Sequence, residues 1–331
     1  AIRLRSDVER KRLFGEQPDA AKGSLNSGIY SADASSATYQ RLHQLAESAL
    51  HAGFPVVLDA AYLKREQRSA AWKQAGLLGA RSALAAKNHG LAQQWLERIP
   101  PTENDFTVQA LRATVLARQG KLKQARQLLR ALPAEGKQQT QRKQQAEVQL
   151  LRDAGAYAQA YALQAQLQAQ DPENPDITYE TALLAEKIGQ LDTMEQLLRS
   201  IMARHPDYHH AYNALGYSLA DRGEQLPEAR RLIEKALEYA PNDPFITDSL
   251  GWLTYREGNL PEALALLEHA YRLRDDVEIA THLAEVLWVS GNPERARSLW
   301  RAALQRDPDN AVLRETLQRL NVQPYAFRAL Y

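Results

Sequence analysis

His209-His210-Ala211-Tyr212-Asn213-Ala214-Leu215-Gly216-Tyr217-Ser218-Leu219-Ala220-Asp221-Arg222-Gly223, followed by Pro227-Glu228-Ala229 and closed by Pro241, decides the fold. Tyr212, Leu215, Gly216 and Leu219 fall at i, i+3, i+4 and i+7, which is one stripe of an α-helix. Gly216 has no side chain, so a partner helix can approach closely there. Gly223 ends the helix, because glycine enters the left-handed conformation without steric penalty. Pro227 suits the first turn of a second helix, which turns Ala229, Leu232, Ile233 and Ala236 inward. Pro241 stops that helix, since proline clashes with the preceding turn.

The same grammar recurs outward in both directions. Gly120, Gly155, Gly189, Gly223, Gly258 and Gly291 are spaced by 35, 34, 34, 35 and 33 residues. Alanines follow most of them at a fixed offset (Ala125, Ala160, Ala229, Ala263, Ala296), and prolines close several units (Pro172, Pro206, Pro241, Pro308). A period near 34 predicts helix-turn-helix units stacked in an array. One hairpin cannot bury its apolar face alone, so neighbours must cover it. Residues 311–320 read as an amphipathic helix capping the last unit, and 323–331 as a tail with Pro324 and several apolar side chains.

Composition narrows the function classes. In 331 residues, 41 Lys and Arg face 40 Asp and Glu, for a net charge of +1, which argues against a dedicated nucleic-acid binder. There is no cysteine, hence no disulfide and no thiolate metal site. No apolar run of about 18 residues predicts a membrane span. The first residues, Ala1 to Asp7, do not form a secretion signal and lack an initiating Met, so a mature or trimmed chain is expected. His205, His209 and His210 cluster around Pro206 but lack the spacing of a zinc helix, and the expectation is solvated loop histidines and no metal. Asp275, Asp276, Asp307 and Asp309 sit in turns and are expected to cap helices instead of holding calcium. No nucleophile elbow occurs. No cofactor and no catalytic residue is predicted.

Leu250-Gly251, Gly258, Ala263 and Ala270, then Leu283-Ala284, Gly291, Ala296, Ala303 and Pro308, repeat the pattern of the 209–241 unit. This grammar resembles the tetratricopeptide repeat family, clearly over about residues 106–310 and more weakly before. The resemblance implies an all-α solenoid of about six to seven repeats over 73–331 with a capping helix. It also implies a concave groove lined by first helices. Carried over unit by unit, the groove positions are Tyr179, Glu186 and Lys187; His210, Asn213, Tyr217 and Asp221; Phe245, Asp248, Trp252, Tyr255 and Arg256; and Glu278, Thr281, Glu285 and Trp288. Tyr, Trp and Arg are favoured anchors of protein interfaces. For Trp252 and Trp288 the alternative is filling of gaps between helices. Asp248 beside Arg256 argues against a purely basic clamp for a terminal carboxylate.

The stretch Thr247-Asp248-Ser249-Leu250-Gly251-Trp252 and on through Gly291-Asn292-Pro293-Glu294-Arg295-Ala296-Arg297 is similar to repeat lipoproteins of proteobacterial outer membranes. That similarity implies a periplasmic adaptor that presents a carboxy-terminal processing protease to its targets, lipid-anchored through a part not present in this chain. A cytoplasmic location and an assembly role for envelope polysaccharide or pili are the alternatives.

Residues 1–72 read differently. Phe54 to Asp59 is a short apolar run that predicts a buried strand delivering a carboxylate, preceded by a helix over Ser36–Ala52 that stops at Gly53 and followed by another from about Leu63. Arg5-Ser6-Asp7-Val8-Glu9-Arg10-Lys11-Arg12-Leu13, Tyr30-Ser31, Tyr39, Val56-Val57-Leu58-Asp59-Ala60-Ala61, Arg65 and Arg68 resemble a small-molecule P-loop kinase. The resemblance implies Asp7 at a substrate hydroxyl and Asp59 near a magnesium nucleotide. Yet no Gly-x-x-x-x-Gly-Lys-Ser/Thr cradle occurs anywhere in the chain, and phosphoryl transfer without it lacks its main electrostatic support. The expectation is therefore a partial kinase-like segment without activity, with unpaired strand edges, joined to a binding scaffold.

Overall fold

The computed structural model describes residues 1–15, 29, 31–52, 54–62, 64–100 and 105–322. The expected stops and starts at Gly53 and Leu63, Tyr30, Pro101 and the tail 323–331 lie outside the described residues. The chain is all-α apart from a small α/β segment at its start, and it divides into two compact units, 1–160 and 161–331.

Unit 1 opens with β1 (Ile2–Arg5), α1 (Ser6–Leu13), α2 (Ala32–His51) and β2 (Val56–Asp59). The two strands pair in parallel, Ile2 with Val56 through Arg5 with Asp59. The expected strand at 54–59 thus has one edge covered. Its partner was not foreseen, although Ile2-Arg3-Leu4-Arg5 alternates with the period of a strand. α3 (Arg65–Ala85) runs on through Trp72 without a break and pairs with α4 (His89–Glu97). A Cβ on Gly79 would lie 2.3 Å from the Trp95 ring, so that approach requires glycine. α5 (Phe106–Arg118) and α6 (Leu122–Ala131) form the next hairpin, followed by α7 (Gly136–Asp153) and the first residues of α8 (Tyr157–Gln170).

Unit 2 holds the rest of α8 and four hairpins: α9 (Pro175–Lys187) with α10 (Leu191–Arg204), α11 (His209–Arg222) with α12 (Leu226–Tyr239), α13 (Pro244–Arg256) with α14 (Leu260–Leu273), and α15 (Val277–Val289) with α16 (Pro293–Arg306). α17 (Ala311–Arg319) packs on α15 and α16 and caps the stack. The quoted stretch folds as its pattern dictates. Leu215 and Leu219 are fully buried, and a Cβ on Gly216 would sit 2.6 Å from Ile233 Cγ1 of the facing helix. Gly223 ends α11 with φ +70°. Asn174, Asp243, Asp276 and Asn310 each accept from backbone N–H groups of the helix they precede, and Asp276 does so at 2.8 Å from Glu278. The core is a file of fully buried small and branched residues, such as Ala229, Ile233, Ala263, Leu267, Ala296 and Trp300. At about 1.5–3 kcal/mol for each large side chain removed from water, this file outweighs any single polar contact.

Candidate functional site: the first-helix wall of unit 2

In unit 2 the first helices α11, α13, α15 and α17 lie side by side, each packed on the next, with their hairpin partners behind. This places equivalent turns of successive repeats in one layer. The side chains there form a connected polar and aromatic network. His282 of α15 holds its Nδ1 2.8 Å from Asp248 Oδ2 on α13 and its Nε2 3.3 Å from the Tyr217 hydroxyl on α11. Trp252 of α13 stacks on the His282 ring, with centroids 4.4 Å apart, and donates its indole N–H to Asp221 Oδ1 at 3.1 Å. The Tyr255 hydroxyl donates to Glu285 Oε1 at 3.2 Å. Arg319 of α17 grips the same carboxylate with both nitrogens, at 2.8 and 2.7 Å.

Burial sets the electrostatics. Burial opposes a charge on His282, but the charge and hydrogen bond of Asp248, with Glu278 and Glu285 behind them, outweigh it and raise its pKa above the ordinary histidine value. Burial also pushes the Tyr217 phenol well above its usual range, helped by Asp221, Asp248, Glu278 and Glu186. Toward the start of the unit a second aromatic group forms. Tyr179 lies 5.7 Å from Tyr208 and 6.1 Å from His210, and the Tyr208 hydroxyl donates to Asp176 at 2.8 Å. Burial pushes the Tyr179 hydroxyl up to about 12.

The nine expected anchors divide by exposure. Tyr179, Asn213, Tyr217 and Tyr255 are half-buried and Arg256 is exposed. Trp252, Asp248 and Glu285 depart from the expectation of side chains facing solvent or a ligand: they are 3%, 5% and 0% exposed. The reason is their bonding. Each is sealed between neighbouring first helices by a partner on the next repeat, so these three brace the wall from within. Trp288, half-buried, packs against Trp300 of its own hairpin at 5.6 Å and under the Arg297 guanidinium. His282 and Arg319, which hold the network together, were not among the predicted residues. The i, i+4, i+7 stripe Glu278, His282, Glu285 was the available signal.

Among the remaining candidates, His209 and His210 lie with ring centroids 4.1 Å apart, and His205 Nε2 meets the Glu173 carbonyl at 3.1 Å. In unit 1 the carboxylates expected at a substrate hydroxyl (Asp7) and near a nucleotide (Asp59) are engaged by arginines. Arg3 donates to Asp59 at 2.5 Å and Arg5 to Asp7 at 3.0 Å. Beside them β1, α1 and α2 enclose a cavity of about 660 Å³, with Leu4, Leu13 and Leu45 set against Glu9, Arg12 and Arg41.

Comparison with known proteins agrees with this architecture. Residues 255–320 match the family model of the tetratricopeptide repeat, and residues 1–127 match that of an AAA domain. A TPR repeat-containing protein of Pseudomonas aeruginosa is 42% identical over 219 residues, covering 66% of this chain and 37% of that protein. The human protein O-mannosyl-transferase TMTC1 is 24% identical over 177 residues, covering 51% of this chain and 20% of that protein. The chain thus spans well under half the length of the curated relatives it matches. A solved tetratricopeptide repeat protein from Parabacteroides merdae superimposes with a TM-score of 0.54 at 16% identity, over 75% of this chain and 98% of the other, which speaks for the fold alone. Among the described residues no helix is long and apolar enough to cross a membrane. The glycine-paced hairpins, their caps and the repeat match over residues 255–320 give the chain a tetratricopeptide-repeat fold, with a short α/β segment ahead of its repeats.

Proposed function

We propose that this protein is a non-catalytic adaptor whose first-helix wall in unit 2 holds a partner polypeptide, and that the partner is a periplasmic carboxy-terminal processing protease. The repeats themselves form a protein-interaction scaffold. The observation that carries it is the wall itself: half-buried Tyr217 and Tyr255 are held by His282 and Glu285, which Asp248 and Arg319 hold in turn, and exposed Arg256 follows Tyr255 on the same helix. Rigid aromatic anchors on a braced surface lose little freedom on binding. The likeness of Thr247–Trp252 and Gly291–Arg297 to outer-membrane repeat lipoproteins is what suggests the setting of this proposal, a periplasmic protein tethered to the outer membrane through a lipid. Cell fractionation tests that location, and recovery in the cytoplasmic fraction counts against it.

The test of the wall is photo-crosslinking. A photoreactive amino acid placed at Arg256 should give an adduct with the purified protease. The same group at Glu234, on the outer helix α12, should not. Equal labelling from both positions, or from neither, refutes the wall as the binding surface.

The AAA-domain match favours a second reading, a kinase-related protein with appended repeats. It requires nucleotide affinity that falls when Asp59 is replaced. The arginines on Asp59 and Asp7 speak against it.

A further inference from the structure

The net charge of +1 conceals two opposed halves. Residues 1–160 carry 24 Lys and Arg against 14 Asp and Glu, whereas residues 161–331 carry 17 against 26. Unit 1 is therefore +10 and unit 2 is −9. In unit 1 the excess is concentrated, for residues 112–145 hold nine cations and a single acid, Glu135.

The same change of sign appears at one defined place on the repeats. In the α5–α6 hairpin of unit 1 and the four hairpins of unit 2, the chain turns at a glycine of positive φ just before the second helix. Charged side chains lie exposed within four residues after that glycine. On α5–α6 they are Lys121 and Lys123. On the hairpins of unit 2 they are Asp192, Glu224, Glu262 and Glu294. Arg295, which also follows Gly291, is taken up by Glu268 at 2.5 Å. Few of these charges are neutralised within the chain. Lys121 and Lys123 meet no carboxylate among the described residues, and Lys121 reaches only the Gln119 amide oxygen, at 3.3 Å. Asp192 and Glu262 meet no cation among them either. Glu224 shares Arg222 with Glu195, at 3.4 Å, and Glu294 meets Arg297 of its own helix.

We infer that this chain associates with itself head to tail through these turns: the basic turn of unit 1 in one copy seats on the acidic turns of unit 2 in another. A second copy is favoured over a nucleic acid or an anionic membrane, because an external polyanion would account for the basic half alone. Here both signs stand on one chain, in near-equal measure and at equivalent turns. Opposite fields of this size orient approaching copies before they touch. The contact joins two different surfaces, so it extends from copy to copy instead of closing about a twofold axis. It does not depend on what the wall of unit 2 binds.

Sedimentation velocity tests it. The unmodified chain should form dimers and longer oligomers at about 0.01 M salt, where charges act over about 30 Å, and return to monomer at about 1 M, where they act over about 3 Å. Lys121→Glu with Lys123→Glu makes the turn of unit 1 acidic, and it sets the new carboxylates at the start of α6, where a helix tolerates them. Glu224→Lys with Glu262→Lys reverses the two central turns of unit 2. Each variant alone should stay monomeric at low salt. An equimolar mixture of the two should associate again, since each reversed edge then finds a reversed partner. Glu234→Lys with Glu238→Lys, on the exposed face of α12, changes the net charge as the second pair does and should leave the association constant within about twofold of the unmodified chain. Four results overturn the inference: an unmodified chain that is monomeric at every salt, association undiminished at high salt, a mixture that stays monomeric, or an α12 pair that acts as strongly as the turn pair.

Discussion

Arg319→Ala should unfasten the cap helix from the repeat stack. Glu285 is wholly buried on α15 and accepts three hydrogen bonds, two from Arg319 at 2.8 and 2.7 Å and one from Tyr255 at 3.2 Å. Removing the arginine strands a buried carboxylate with a single neutral donor. Breaking a fully buried ion pair in this way costs about 3–5 kcal/mol, whereas an exposed pair is worth about 0–1 kcal/mol. The Arg319 side chain is 51% exposed, so part of its charge is screened by water, and the expected loss lies between these limits, near about 2 kcal/mol. Glu285→Gln should cost less, because the amide oxygen still accepts from both donors and no charge is stranded. Repeats couple mainly to their neighbours, so the loss should be local. Urea denaturation gives the total, and hydrogen exchange locates it in α15 and α17. A change under about 0.5 kcal/mol, the scatter of ordinary surface substitutions, would refute the argument, as would faster exchange spread evenly back to α9.

Other perturbations follow from the same geometry. Gly216→Ala places a methyl group 2.6 Å from Ile233 Cγ1 and 3.0 Å from the Ala229 carbonyl and should destabilise by about 1–3 kcal/mol in thermal melts; a neutral result would mean that α11 and α12 separate freely. The raised pKa of His282 makes its contribution to stability complete below its unfolded value of about 6.5 and lost as pH rises through its higher folded value. The urea midpoint should therefore decline from mildly acidic to alkaline pH, and His282→Gln should remove that slope. In unit 1, Glu147 is buried, which alone would raise its pKa, but hydrogen bonds and charge from Arg130 and Arg126 lower it below the carboxylate norm. Its contribution should persist above about pH 4.5 and disappear as pH falls through its lower folded value, an acid sensitivity that Glu147→Gln should blunt.

The repeat architecture was legible because its signals are local. A glycine every 34 residues or so must take a positive φ to end a helix, and six of them do, from Gly120 at +78° to Gly291 at +85°. Gly216 and Gly251 announce close helix contacts without any knowledge of the partner. The wall was harder to read. Repeat positions place Asp248, Trp252 and Glu285 on the first helices, but whether a side chain there meets solvent depends on what the neighbouring repeats offer 30–34 residues away. Trp252 is sealed by Asp221 and His282, Asp248 by His282, and Glu285 by Arg319. No window of one helix contains those pairs. The parallel pairing of β1 with β2 escaped notice for the same reason, since its two halves lie 54 residues apart and neither is longer than four residues.

The bond from Tyr217 to His282 joins residues 65 apart, so it leaps over the intervening hairpin and links units that are not adjacent in sequence. In a stack held only by adjoining pairs, the end would peel off one hairpin at a time. Here α11, α13 and α15 are also stitched through one imidazole, so removing that imidazole should loosen all three at once. With it in place, the middle of the stack should resist opening at any one hairpin while its ends fray.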